Sequence, residues 1–210
     1  MMNGALIEPG KLLNRNLFFI KDAVKTLEAK TSDKFDVYDP GSRELLLECR
    51  ELDLSGLTRL RRLAGGKYDA GSPFNLVARI PGSNQQILRI ARKVPLISFK
   101  KPPIEFYNHE DLGVLTMRRK FFSLGRKFQF FTPQNAPLFE LHAKSTFYGF
   151  RLIANKRDLA TIWLRWKGDQ ADYFKQGFKY ALSINEEIPK DSISRQLLLA
   201  FALSFHRIQI

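Results

Sequence analysis

Apolar and polar residues alternate along most of the chain from residue 35 onward, and short polar stretches interrupt the alternation. A period of two is typical of strands that turn one face to a core and the other to solvent. Pro, Gly, Asn and Asp gather in the interruptions, as they do in turns between paired strands. The clearest turns lie at 39–42, 81–84, 108–113, 133–137 and 155–158. The pattern therefore predicts a succession of antiparallel hairpins.

The alternation also predicts which side chains face the core. One strand is expected to place four residues inside, namely Ala160, Ile162, Leu164 and Trp166, and an earlier strand does the same with Phe74, Leu76, Ala78 and Ile80. The opposite faces are largely basic and carry Arg79, Gln129, Arg151, Arg165, Lys167 and Lys179. With a closing strand in FKYALSIN (178–185) and two strands near 17–24 and 25–30, the count reaches about twelve.

The last segment, IPKDSISRQLLLAFALSFHRIQI, loses the alternation and predicts a helix over 191–207, with Asp191 or Ser192 as its N-terminal cap. From Leu197 to Phe205 this helix is apolar on every side, so protein or lipid must surround it. The apolar run would be only roughly 14 Å long against about 30 Å of bilayer hydrocarbon, and Arg195, His206 and Arg207 close its two ends. Enclosure by protein is therefore favoured.

A closed barrel of eleven or more strands has a lumen wide enough for a helix, which accounts for both the hairpins and the apolar helix. We expect a mainly β protein: an antiparallel closed barrel of about twelve strands wrapped around a hydrophobic C-terminal helix. The length of 210 residues suits a single domain over 1–210, with residues 1–16 as an N-terminal extension.

Charge narrows the choice of partners. The chain has 34 Lys and Arg against 21 Asp and Glu, a formal net charge of +13. Anionic membrane surfaces and nucleic acids are therefore the favoured partners. The single cysteine, Cys49, excludes a disulfide within the chain, and its alternation with Leu45 and Leu47 predicts a buried side chain. Without an apolar signal segment at the N-terminus, a cytoplasmic protein is predicted, at most peripheral to a membrane.

Catalytic motifs are not found in the sequence, which has no G-x-S-x-G elbow, P-loop, H-E-x-x-H or G-x-G-x-x-G. The histidines, His109, His142 and His206, fall in a turn, a strand and the terminal helix, and we assign them no role. The sequence thus predicts no enzyme, no catalytic residue, no metal site and no cofactor.

Basic residues are the remaining candidates for a binding site, and they form two groups. The first surrounds one predicted hairpin, where Phe121 and Phe122 accompany the cations Arg118, Arg119, Lys120, Arg126 and Lys127. The second is an outward column on three successive strands, formed by Arg151, Arg165, Lys167 and Lys179. Cations beside interfacial aromatics suit phosphate headgroups, and like charges on neighbouring strands are destabilising without an anion.

The chain resembles the tubby C-terminal-like superfamily, and within it the phospholipid scramblase-related and LURP-one-related proteins. The resemblance is carried by FDVYDPGSRELLLECRE (35–51), KFFSLGRKFQFF (120–131), IWLRWKG (162–168) and a strand followed by an apolar terminal helix. It implies a twelve-stranded antiparallel barrel around a buried helix, and a protein that contacts anionic phospholipid headgroups at or near membranes.

Two features depart from the animal scramblases. Their calcium segment corresponds here to FKQGFK (174–179), with Lys and Gln where oxygen ligands are needed, so calcium is not predicted. Their cysteine cluster is reduced to Cys49, which disfavours an acyl anchor. We therefore predict a non-enzymatic module that docks on anionic phospholipid. The alternatives are a nucleic-acid-binding barrel and lipid scrambling itself.

Overall fold

Twelve strands and a C-terminal helix have their bounds in the described part of the chain. The computed structural model describes residues 12, 14–23, 34–52, 56, 73–93, 102–120, 126–164, 178–190 and 192–208, with backbone alone for 206–208. The strands are β1 (Leu17–Asp22), β2 (Lys34–Tyr38), β3 (Leu45–Glu51), β4 (Phe74–Arg79), β5 (Gln86–Arg92), β6 (Ile104–Tyr107), β7 (Gly113–Arg119), β8 (Arg126–Phe131), β9 (Pro137–Ser145), β10 (Gly149–Ala154), β11 (Arg157–Trp163) and β12 (Phe178–Ile184), and the helix is α1 (Ile193–Ile208).

The strands close into a barrel in which each one pairs antiparallel with its neighbours in the sequence. Closure comes from β12, which pairs with β11 on one side and with β1 on the other, where Phe19 lies opposite Ala181. This is the predicted fold, and the predicted closing strand is β12. Because every hydrogen-bonding edge is paired, the barrel leaves no open edge for another chain to extend.

Successive connections alternate between the two ends of such a barrel. The end that carries the connections β2–β3, β4–β5, β6–β7, β8–β9 and β10–β11 is called the turn end here, and the opposite end is the loop end. Tight turns form where the sequence predicts them: Asp39 Oδ1 accepts the backbone N–H groups of Gly41 and Ser42 at 2.7 and 2.8 Å. Asn155 and Lys156 have φ values of 50° and 64°, the left-handed pair typical of a two-residue hairpin.

The helix α1 fills the barrel. Every residue from Leu197 to Phe205 is buried, which confirms the prediction that this segment is enclosed on all sides. Aromatic side chains of the wall pack on it, since Phe128 lies 5.2 Å from Phe201 and Phe150 lies 5.0 Å from Phe205 between ring centroids. The buried hydroxyl of Tyr180 donates to the Ala202 carbonyl at 2.8 Å, so this polar group is satisfied inside the core.

Among the described residues, the strand faces are as predicted with one exception. The inward residues of β4 and the residue after it, at alternate positions from Phe74 to Ile80, are buried. Cys49 is buried as well, and this burial raises the pKa of its thiol well above the usual value. The prediction that Leu164 faces the core is wrong, because 41% of its surface is exposed. The reason is that β11 and its pairing with β12 end at Trp163, so Leu164 lies at the rim of the barrel, where its backbone N–H still donates to the Tyr148 carbonyl at 2.8 Å.

The helix begins at Ile193, two residues after the predicted start. Ser192 precedes it, but its buried Oγ accepts no hydrogen bond among the described residues and so does not cap the helix, whereas Asp191 lies outside the described residues. Also outside them are the strand predicted near 25–30, Trp166 and most of the predicted extension 1–16. Of that extension, Leu12 is fully buried and Arg15 is ion-paired with Glu44 at 3.0 Å, so its final residues pack on the barrel.

Candidate functional site

The five cations predicted around one hairpin are divided among three environments. They lie on β7 and β8, which pair with each other, while residues 121–125 between these strands, including Phe121 and Phe122, are outside the described residues. Arg118 lies apart from the other four cations, because its Nη2 donates to Asn135 Oδ1 at 3.0 Å and its guanidinium lies 4.9 Å from the centroid of the Phe131 ring. Its side chain thus follows the outer wall toward the turn end.

Lys120 and Lys127 meet at one carboxylate on the outer face of β9. Glu140 forms an ion pair with Lys120, lies 3.6 Å from Lys127 Nζ, and contacts His142 Nε2 at 2.6 Å. The hydrogen bond from Lys120, with those from His142 and the nearby positive charges, lowers the pKa of Glu140 to about 2. One negative charge therefore offsets part of the positive charge predicted for this hairpin.

This arrangement makes a prediction about pH. Replacing Glu140 by glutamine should lower the free energy of unfolding by about 1 kcal/mol near neutral pH, because the carboxylate loses its cationic partners. A carboxyl whose pKa is lowered by folding stabilises the protein above its unfolded pKa. The difference between wild type and Glu140→Gln should therefore shrink as pH falls from about 4.5 toward about 2.

Urea denaturation of both proteins across this pH range measures the difference. Glu186→Gln is the matched control, since Glu186 is exposed in the loop after β12 and has no ion-pair partner among the described residues. Its stability should equal that of the wild type at every pH. A Glu140→Gln difference that stays constant as the pH falls would contradict the assignment of the low pKa to ion pairing.

Arg119 and Arg126 point toward the barrel interior at the loop end. Arg126 shares the inward face of β8 with Phe128, and its guanidinium lies 4.8 Å from the centroid of the Phe150 ring. Its Nη1 is buried and finds no hydrogen-bond acceptor in the described part of the chain. Burial, followed by repulsion from Arg119, lowers the pKa of Arg126. Since arginine stays charged in proteins, this is a cation with an unused donor, which an anion would satisfy.

The second predicted group is neutralised where the structure describes it. Arg151 Nε donates to Asp158 Oδ1 at 3.1 Å, and Lys179 Nζ lies 3.1 Å from Asp22 Oδ1. The other two members, Arg165 and Lys167, lie outside the described residues. Arg151 and Lys179 are thus each paired with a carboxylate of the protein, so neither requires an external anion to neutralise it.

The structure adds two residues that the sequence interpretation missed. Lys144 is exposed near the end of β9, opposite Arg151 in the register, and has no ion-pair partner among the described residues. Phe147, in the connection from β9 to β10, is 80% exposed. The available signal was the segment STFYG, which places two aromatic residues where a hairpin turn usually has Asn, Asp or Gly.

The turn that carries Phe147 is tightly held. The Thr146 hydroxyl accepts the Gly149 N–H at 3.1 Å, and the rings of Phe147 and Tyr148 meet edge to face at 5.0 Å. A Cβ atom at Gly149 would lie 1.9 Å from the Ile162 carbonyl oxygen, so only glycine fits there. The exposed ring is therefore presented from a fixed turn.

These residues belong to one region of the loop end. Phe147 lies three residues from Phe150, whose ring Arg126 contacts, and Lys144 is close by in the same segment. We call this region the loop-end patch and define it as Phe147 with the five cations Arg119, Lys120, Arg126, Lys127 and Lys144. It combines a large exposed aromatic ring with positive charge that Glu140 offsets only in part.

Metal and membrane-spanning features are not found among the residues that the structure describes. No three of their His, Cys, Asp or Glu side chains lie close enough together to hold a metal ion. Within the same residues, no helix combines the length and the apolar character needed to cross a bilayer.

Comparisons with known proteins give no relatives. The chain matches no protein-family model, no curated protein and no solved structure. The class defined by the structure is thus a closed twelve-stranded antiparallel barrel around a central helix, and the resemblance to the tubby C-terminal-like superfamily stays a prediction.

Proposed function

We propose that the protein is a non-enzymatic binding module that docks reversibly on anionic phospholipid surfaces through the loop-end patch. The observation that carries the proposal is the 80% exposed ring of Phe147 at the same end of the barrel as a group of cations. A large aromatic side chain left in water on a fixed turn is unfavourable in a free protein and favourable at a membrane interface. The patch and the barrel that presents it would act as one rigid platform.

The charges support an anionic surface. Each Lys or Arg close to an anionic leaflet contributes about 1 kcal/mol of attraction. Arg126 offers a buried donor without an acceptor among the described residues, and Lys144, at the same end of the barrel, is exposed and has no ion-pair partner among them. Phosphate and carboxylate oxygens of headgroups are suitable acceptors for an exposed ammonium group such as that of Lys144. The affinity should therefore depend on lipid charge and should fall as the salt concentration rises.

Sedimentation with phosphatidylcholine vesicles, with and without phosphatidylserine, tests the proposal. Wild-type protein should bind only the anionic vesicles. Phe147→Ser should weaken that binding about tenfold, because an interfacial ring is lost. Lys144→Gln should weaken it about fivefold. Glu140→Gln should strengthen it by a similar factor, since the carboxylate that offsets Lys120 and Lys127 is neutralised.

Leu112→Ser is the matched control for the exposed apolar side chain. Leu112 is 58% exposed and lies at the turn end, so its removal should leave vesicle binding unchanged. The proposal fails if binding does not respond to phosphatidylserine, or if Leu112→Ser and Phe147→Ser have equal effects. A mobility-shift assay serves as the competing test: binding of an oligonucleotide at physiological salt, without vesicle binding, would assign the patch to nucleic acid instead.

A further inference from the structure

An apolar cavity lies inside the barrel at the end opposite the loop-end patch. Its volume is about 270 Å³, and it separates the first half of α1 from the wall formed by β8 to β11. Leu198 and Phe201 line it from the helix, and Phe130 and Leu141 line it from the wall. All four of these side chains are buried, so the cavity reaches into the hydrophobic core.

The wall of the cavity is held in place by aromatic stacking. Phe130 and Phe139 stack at 4.6 Å with an interplanar angle of 10°. Next to them β10 contributes Ala154, whose methyl group leaves the space that a larger side chain would fill. Since the wall belongs to a closed barrel, it cannot collapse onto α1 to close the gap. The apolar lining therefore lacks contacts that an apolar occupant would supply.

The mouth of the cavity is polar. It opens at the turn end, where the exposed residues Asn155, Arg157 and Ser194 form its rim. Arg157 has no ion-pair partner among the residues that the structure describes, because the neighbouring Asp158 is paired with Arg151. An apolar cavity with a single guanidinium at its entrance has the chemistry of a site for an anionic amphiphile.

We propose that this cavity binds the chain of a single-chain aliphatic carboxylate, whose carboxylate group pairs with Arg157. Apolar cavities of about 150 Å³ hold one benzene molecule, so the present cavity has room for a chain of roughly ten carbons. The hydrocarbon would lie between α1 and the stacked phenylalanines. The site is separate from the loop-end patch and does not depend on membrane docking.

Isothermal titration calorimetry with decanoate, decan-1-ol and decyltrimethylammonium tests the site on the full chain. Decanoate should bind saturably and most tightly, and the cationic analogue most weakly. Arg157→Gln should weaken decanoate binding about fivefold without affecting decan-1-ol. Lys156→Gln is the matched control, because Lys156 carries the adjacent exposed charge and does not line the cavity. It should leave the affinity for decanoate unchanged.

A cavity-filling variant separates this site from adsorption to the surface. Ala154→Leu should reduce binding of both decanoate and decan-1-ol by at least about tenfold, while its thermal unfolding midpoint stays at or above that of the wild type. Unsaturable binding in the wild type, or full affinity in a folded Ala154→Leu protein, would overturn the proposal. Equal loss of decanoate and decan-1-ol binding in Arg157→Gln would overturn the role of the guanidinium.

Discussion

Replacing Phe201 by alanine is expected to lower the free energy of unfolding by about 3–5 kcal/mol. The ring is fully buried in the middle of α1 and meets Phe128 of β8 edge to face, with 5.2 Å between centroids. The cost of such a truncation grows with the cavity that remains. Because β8 is fixed between β7 and β9 in a closed barrel, it cannot move inward to fill the space, which favours the upper part of this range.

Urea denaturation followed by circular dichroism measures this effect as a shift of the midpoint at constant slope. Ile193→Ala is the matched control on the same helix, since Ile193 is 53% exposed, and its effect should stay within about 0.5 kcal/mol. Equal destabilisation by the two variants would show that α1 is not the core of the barrel.

Replacing Arg195 by methionine is expected to destabilise the protein by a similar amount, about 3–5 kcal/mol. Arg195 is fully buried in the first turn of α1, and its donors reach both the segment just before the helix and the segment just before β1. Nε and Nη2 donate to the Ile188 carbonyl at 3.0 and 2.8 Å. On the other side, Nη1 donates to the Arg15 carbonyl at 3.0 Å and Nη2 to Asn16 Oδ1 at 2.8 Å.

Methionine would leave these buried acceptors without donors and would detach the start of β1 from the start of the helix. Arg195→Lys should recover little of the loss, because one ammonium group cannot reach acceptors in two directions as the planar guanidinium does. Lys190→Gln, a change to an exposed cation in the segment just before α1, should alter the denaturation midpoint very little. A fully stable Arg195→Met protein would refute a clamping role for this side chain.

Much of the barrel could be predicted because its signals are local. Alternation of apolar and polar residues identified the inward residues of β4. The helix from Leu197 to Phe205 is apolar on every side, which predicted that protein surrounds it, and the closed barrel does so. The prediction failed at Leu164, where alternation continues in the sequence but β11 ends. Arg195 was interpreted as the charged boundary of an apolar run, yet it lies fully buried, because the nearby Ile188 carbonyl and acceptors about 180 positions away in the sequence satisfy it.

The candidate site was less predictable. The hairpin cations were found as a cluster of charges, but Glu140, which offsets two of them, lies on the next strand and gave no signal of its own. Phe147 was overlooked because an aromatic residue in a turn is as compatible with burial as with exposure. The interior cavity could not be predicted, since it depends on how Ala154 and α1 fit together across the barrel.

By itself, the sequence determined the order of strands and turns, the need to surround the last helix and the large excess of positive charge, since each is a property of neighbouring residues or of composition. Only the tertiary structure decided which charges remain available to a partner. Arg151 meets Asp158 within one hairpin, but Lys179 meets Asp22 across 157 positions of the chain, and that pairing exists only because β12 closes the barrel against β1. Charge is carried by single residues, whereas its neutralisation depends on strand register and closure.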